Sequence, residues 1–211
     1  MVKKKLHLKP MQFDRYFLII VLLISLVGLF AFVSASLGIL ARSESKFYGV
    51  LFNQIVLGFV FGLAGLWATM KIPYTFWRKH AFYIFIGTVV LTACVFVPGL
   101  GFAHGGARRW ISIGPVSFQP AELLKLGFVI YFSAWLAWMH KKGGDFKNKI
   151  VPFMILLTIV AAVLLRQPDT KSLILITAAA CGMLFVSGVS WKKVAMIIGI
   201  GLLAIVILAF A

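Results

Sequence analysis

Two stretches near the start of the chain, Tyr16 to Ala41 and Gly49 to Met70, contain no charged residue at all. Each exceeds the roughly 18 residues at which an apolar run is read as crossing a bilayer. Runs of that length are spans, not strands. Composition extends the point to the whole chain: 62% of its 211 residues are hydrophobic and 12% are charged, and the mean hydropathy is +1.04. Soluble domains carry roughly 45–50% apolar residues. The expected fold class is therefore all-α, a polytopic transmembrane bundle of about seven helices.

A formal net charge of +16 would point to nucleic acid in a soluble protein, so the placement of the basic residues decides between readings. With the N-terminus inside, the inner segments hold Lys3, Lys4, Lys5, Lys9 and Arg15, then Lys71, Arg78 and Lys79. Further along they hold Lys141, Lys142, Lys147 and Lys149, then Lys192 and Lys193. The outer loops hold Arg42, Lys46, Arg108, Arg109, Arg166 and Lys171, and Lys125 lies within a span. This is the positive-inside bias of membrane helices, and it accounts for the charge without a nucleic-acid partner. Cys94 and Cys181 fall in apolar spans without the spacing of a metal or redox site. No metal site and no cofactor is identified, though the pattern leaves room for a divalent cation. The first span is too long for a signal-peptide core and is retained as a helix.

The chain reads as a single membrane domain over residues 1–211, with spans at about 16–41, 47–70, 81–97, 120–139, 150–165, 173–187 and 194–211. Cytoplasmic turns are expected at Lys71–His80, His140–Lys149 and Gly188–Lys193. The long outer loop from Pro98 to Gln119 is rich in glycine, and around Gly114-Pro115 it alternates polar and apolar residues. A small amphipathic hairpin or re-entrant element is expected there. Ser117, three residues before Pro120, marks a helix start.

Ionisable groups at membrane depth cost about 2.5–3.5 kcal/mol each and need a reason. Glu122 and Lys125 share one helix face at i, i+3 spacing, which allows either an ion pair or two separate roles, Glu122 at the helix N-terminus and Lys125 snorkelling outward. The Arg166–Lys171 turn joins two spans counted at about 16 and 15 residues, too short for a hydrocarbon core of about 30 Å, so the turn is expected to be recessed. Alternatively, Arg166, Asp169 and Lys171 neutralise one another at the interface. Arg108 and Arg109 beside Trp110 lie outside, against the charge bias, and arginine forks suit phosphate. All these groups fall in the outer half of the membrane.

Two stretches, Val97–Leu126 (VPGLGFAHGGARRWISIGPVSFQPAELLKL) and Arg166–Lys193 (RQPDTKSLILITAAACGMLFVSGVSWKK), together with Ser34–Ser36 in the first helix, resemble the SEDS family. These are the polytopic proteins of bacterial shape, elongation, division and sporulation typified by RodA, FtsW and SpoVE, and the first stretch looks most like the division type, FtsW. After QPD this chain has Thr170, Lys171 and Ser172 where the family usually has Leu-Gly and a small residue.

The resemblance implies a roughly ten-helix peptidoglycan glycosyltransferase that polymerises lipid II during cell division. It would work in the bacterial inner membrane with a class B penicillin-binding protein and divisome proteins, its N-terminus cytoplasmic. It also implies that Arg108, Arg109, Trp110, Gln119, Glu122, Lys125 and Asp169 line the substrate cavity. The catalytic acid would lie in a loop beyond Ala211, so the chain reads as an N-terminal fragment. A lipid II flippase and a non-catalytic truncated scaffold are the rival functions. Alternating access favours inverted repeats, and no convincing repeat is found among the seven spans.

Overall fold

The computed structural model describes residues 14–40, 44–104, 107–113, 116–143, 146–196 and 198–199. These fall into two compact units divided after Lys71. In the first, α1 runs over Arg15–Leu40. It is followed by a second helical stretch made of α2 (Glu44–Phe52), a π-helical segment (Asn53–Val60) and α3 (Phe61–Lys71). Most of the large side chains of α1 are exposed, including Phe17, Ile24, Val27 and Phe30, and others, such as Leu22 and Phe32, are half-buried. An apolar helix so largely exposed is what a lipid-facing span looks like, its backbone bonded internally and its side chains left to the acyl chains.

The second unit holds α4 (Tyr74–Ala93), a 3-10 turn at Cys94–Phe96, a small sheet, α5 (Pro120–Lys141), α6 (Phe146–Arg166) and α7 (Thr170–Val186). Its core follows helical periodicity. Leu124, Phe128, Phe132 and Leu136 recur every four residues along one face of α5 and are buried, as a stripe at i, i+4 must be when neighbours cover it. Leu156, Val160 and Leu164 of α6 and Ile176, Ala180 and Leu184 of α7 form matching stripes in the same cluster. Aromatic rings fill the spaces between them: Phe85 stacks on Tyr131 at 5.4 Å and Phe132 meets Phe153 at 5.6 Å. In lipid such packing is held by dispersion and close backbone approach rather than by exclusion of water. Gly127 supplies one such approach, since a Cβ there would run into the Thr88 side chain of α4.

Four described helices are long and apolar enough to cross a membrane, and α6 and α7 contribute shorter apolar stretches. Helices run further than hydropathy suggests. The third begins at Tyr74, not near residue 81, and the turn expected over Lys71–His80 shrinks to Ile72-Pro73. Polar residues end an apolar run, but Arg78, Lys79 and His80 do not break a helix. For the same reason α6 has 21 residues, or about 31 Å, and α7 has 17, or about 25 Å. The added first turn of α6 carries Lys147 and Lys149, so the apolar stretches of the two helices, Ile150–Arg166 and Thr170–Val186, are both short of the hydrocarbon thickness, as expected. Helical backbone resumes at 191–196 and 198–199. The remainder of the seventh span, and the inner segment Met1–Phe13 with its lysines, lie outside the described residues.

The outer loop folds as a three-stranded antiparallel sheet in the order β1 (Gly101–His104), β2 (Ala107–Ile113) and β3 (Val116–Phe118). The expected hairpin is β2–β3, with Ser112 opposite Ser117. Ser117 is thus a strand residue and not a helix start; the N-cap position of α5 belongs to Gln119, with Pro120 in the first turn. Strand β1 was not anticipated. It reaches the 3-10 turn through Gly101, where any Cβ would overlap the Val95 carbonyl oxygen, so a glycine-rich loop doubles as an edge strand.

Candidate functional site

Strand β2 alternates in exposure: Ala107, Arg109 and Ile111 turn toward the protein, while Arg108, Trp110 and Ser112 are exposed. Pairing with β1 slips between Phe102 and Ala103, opposite Trp110 and Arg108. Arg109 is therefore the extra residue of a β-bulge, a feature that re-aims a side chain. The adjacent arginines point to opposite faces, as neighbours in a strand do. They do not form one fork for a single phosphate.

Arg109 reaches the end of α6, where its Nε donates to the Gln167 carbonyl at 3.0 Å and an Nη donates to the Pro168 carbonyl. Backbone carbonyls at a helix C-terminus lack intrahelical partners and carry partial negative charge, so a guanidinium suits them. The next residue, Asp169, is 3% exposed. It caps α7: Oδ1 accepts from the Ser172 amide at 3.3 Å and Oδ2 from the Ser172 hydroxyl at 2.7 Å. Oδ2 also accepts from the Gln119 side-chain amide at 2.8 Å. Gln119 makes no side-chain cap bond to its own helix; its side-chain amide reaches across to Asp169 instead. Gln167, 1% exposed, donates to the Thr92 carbonyl of α4 at 2.7 Å, and among the described buried side-chain atoms its Oε1 lacks a partner.

In the α6–α7 turn Gln167 and Asp169 are thus buried while Pro168 is exposed, and the turn is tied to β2, to the start of α5 and to α4. Its neighbours Arg166 and Lys171 are exposed. The interfacial charge cluster considered for Arg166, Asp169 and Lys171 does not form. Among the described residues the ion pair is Lys125 with Glu122, Nζ to Oε2 at 2.7 Å, with side-chain exposures of 24% and 59%. It sits one to two turns along α5 from Gln119, about 9 Å for six residues of helical rise.

Of the seven candidate residues, then, Arg109, Gln119 and Asp169 meet at the turn, Glu122 and Lys125 pair on the adjoining stretch of α5, and Arg108 and Trp110 face away on the outer side of β2. Sequence reasoning missed Ser172, Gln167 and Thr92. A signal for Ser172 was present: aspartate three residues before a serine at the head of an apolar run is an N-cap pattern.

The model of the cell cycle protein family of FtsW, RodA and SpoVE matches residues 14–211. The chain belongs to that family. A "Probable peptidoglycan glycosyltransferase FtsW" of Geobacter sulfurreducens is 32% identical over 208 residues, covering 97% of this chain and 55% of the relative. A protein of the same name from Allochromatium vinosum is 32% identical over 195 residues, covering 88% and 48%. The fold matches the rod shape determining protein RodA of Thermus thermophilus with a TM-score of 0.66 at 24% identity, over 89% of this chain and 58% of that one. It also matches a chain of a solved peptidoglycan synthase complex that coordinates polymerization and crosslinking, with a TM-score of 0.65 at 25% identity over 88% and 52%. The chain spans about half the length of the curated FtsW relatives it matches. As a family member it is a multi-pass membrane protein, with the polar assembly at one end of its second unit.

Proposed function

We propose that this chain forms the substrate-holding helices of a peptidoglycan glycosyltransferase that polymerises lipid II into glycan strands during cell division. Family membership and the names of its FtsW relatives support the reading. The observation that carries it to particular residues is the convergence of β2, the start of α5 and the α6–α7 turn around Arg109, Gln119 and Asp169, with a lysine on the adjoining face of α5.

In the reaction the 4-hydroxyl oxygen of an incoming lipid II attacks the anomeric carbon of the growing chain. The bond from that carbon to undecaprenyl diphosphate breaks, and the hydroxyl proton passes to a carboxylate. Charge develops on the departing diphosphate. Lys125 is the cation suited to receive it, exchanging Glu122 for phosphate oxygens, and Glu122 keeps the ammonium in place until then. Arg109 has two N–H groups committed to carbonyls, so its part is to hold the turn. Exposed Arg108 and Trp110 are placed to meet the lipid-linked headgroup from the other side of β2.

A divalent cation would be held mainly by the diphosphate, since among the described residues no three His, Cys, Asp or Glu side chains gather. We place the protein in the bacterial inner membrane, N-terminus cytoplasmic, beside a class B penicillin-binding protein and the divisome. The lysine distribution and the synthase complex that shares the fold support this.

The test is lipid II polymerisation in reconstituted vesicles with the full-length protein. Lys125→Ala is expected to slow it by about 100-fold; an unchanged rate would refute the assignment.

A further inference from the structure

At the far end of α5 from Gln119, the last turns of α5 and α7 leave between them a groove of about 830 Å³, within the range of about 300–1,000 Å³ of small-molecule sites. Its walls are Leu136, Ala137, Ala179, Gly182 and Met183, with His140 and Lys141 at its mouth. Small residues make it: an added Cβ at Gly182 would meet nothing within 4 Å. No acidic side chain lines it; Asp145, the nearest acidic residue in sequence, lies outside the described residues.

The mouth has the marks of headgroup depth. Lys142 lies over the exposed Trp138 ring at 4.2 Å. On the other side exposed Trp191 meets Phe185 edge-on at 5.8 Å, followed by exposed Lys192. Tryptophans sit at membrane–water interfaces, and on the orientation read from the lysines this is the cytoplasmic one. Basic pockets between transmembrane helices on that side take anionic headgroups.

We propose that this groove binds an anionic phospholipid, one acyl chain lying between α5 and α7 and the phosphate resting against Lys141 and His140. Charge complementarity selects this occupant, because the lining carries Lys141 and no carboxylate, and an apolar helix or a zwitterionic lipid gains less than an anionic one from an unopposed lysine. The site is independent of the polymerase reading, being at the other end of the helices.

The experiment is native mass spectrometry of the purified full-length protein titrated with phosphatidylglycerol or phosphatidylcholine. Phosphatidylglycerol should be retained in preference, and Lys141→Gln should cut that preference about fivefold, the effect of one basic charge near a lipid surface. Gly182→Leu should abolish retention of both lipids with helical circular dichroism unchanged. A photoreactive benzoylphenylalanine replacing Ala179 in native membranes should give an adduct that phospholipase trims.

Equal retention of the two lipids would overturn the proposal, as would a preference that survives both substitutions. An adduct to a polypeptide instead of a lipid would show that another helix fills the groove. If Gly182→Leu fails to fold, Lys141→Gln and the photoadduct still decide.

Discussion

Asp169 and Glu122 are both carboxylates in apolar surroundings near one end of the same unit, yet the fold treats them in opposite ways. Asp169 is buried and accepts from the Ser172 amide, the Ser172 hydroxyl and the Gln119 amide. Glu122 is 59% exposed at its side chain and paired with Lys125 alone. A buried acceptor with its donors satisfied is a structural device, since removing it strands every partner. An exposed pair contributes little to stability and can be exchanged for a ligand at small cost. Polar residues in a span therefore divide into those that hold the turn and those left available, and substitution can test where that line falls.

The largest effect should come from Asp169→Ala. It removes the α7 cap and leaves the Gln119 amide and the Ser172 hydroxyl without an acceptor. Loss of the cap costs about 1 kcal/mol and each stranded group about 1–3 kcal/mol, so destabilisation of about 3 kcal/mol is expected. Chemical unfolding in detergent would measure it, and Asp169→Asn, which keeps one acceptor oxygen, should recover about half. If Asp169→Ala were as stable as the parent, the distinction between the two carboxylates would collapse.

Arg109→Ala should come next, at about 2 kcal/mol, for two charge-assisted bonds to helix-end carbonyls. Arg109→Lys should rescue little, because one ammonium does not reproduce the two-pronged fit to successive carbonyls. Full rescue by lysine would mean that Arg109 acts as a point charge, and would return it to the group available for substrate.

How far the sequence disclosed this division depends on the length scale of each feature. The helices of the second unit were legible because apolar runs and stripes at i, i+4 are local patterns. The hairpin around Gly114-Pro115 was legible for the same reason. The Glu122–Lys125 pair was one of two readings that their spacing on one helix left open. Partners far apart in the chain were not legible: Arg109 with Gln167 and Pro168, Gln119 with Asp169, and Gln167 with Thr92. The register shift at Arg109 was not legible either, because it is set by β1, a strand hidden in glycines whose conformation answers to the Val95 carbonyl rather than to side-chain pattern. Helix ends erred where basic residues continue a helix into the headgroup region, because hydropathy reports depth and helix propensity reports conformation.

The smallest stability effect sharpens the comparison most. Lys125→Ala removes the one partner of an exposed carboxylate, and pairs of this kind contribute about 0–1 kcal/mol, so unfolding should shift by no more than about 0.5 kcal/mol. Glu122→Gln should be similarly mild, and the double variant no worse than the sum, since either single variant already breaks the pair. The same Lys125→Ala protein, in full-length form, is the one expected to lose polymerisation. A variant that folds normally and does not polymerise places Lys125 with the ligand. If unfolding instead shifted by as much as for Asp169→Ala, Lys125 would belong with the turn, and its loss of activity would be only a consequence of its loss of structure.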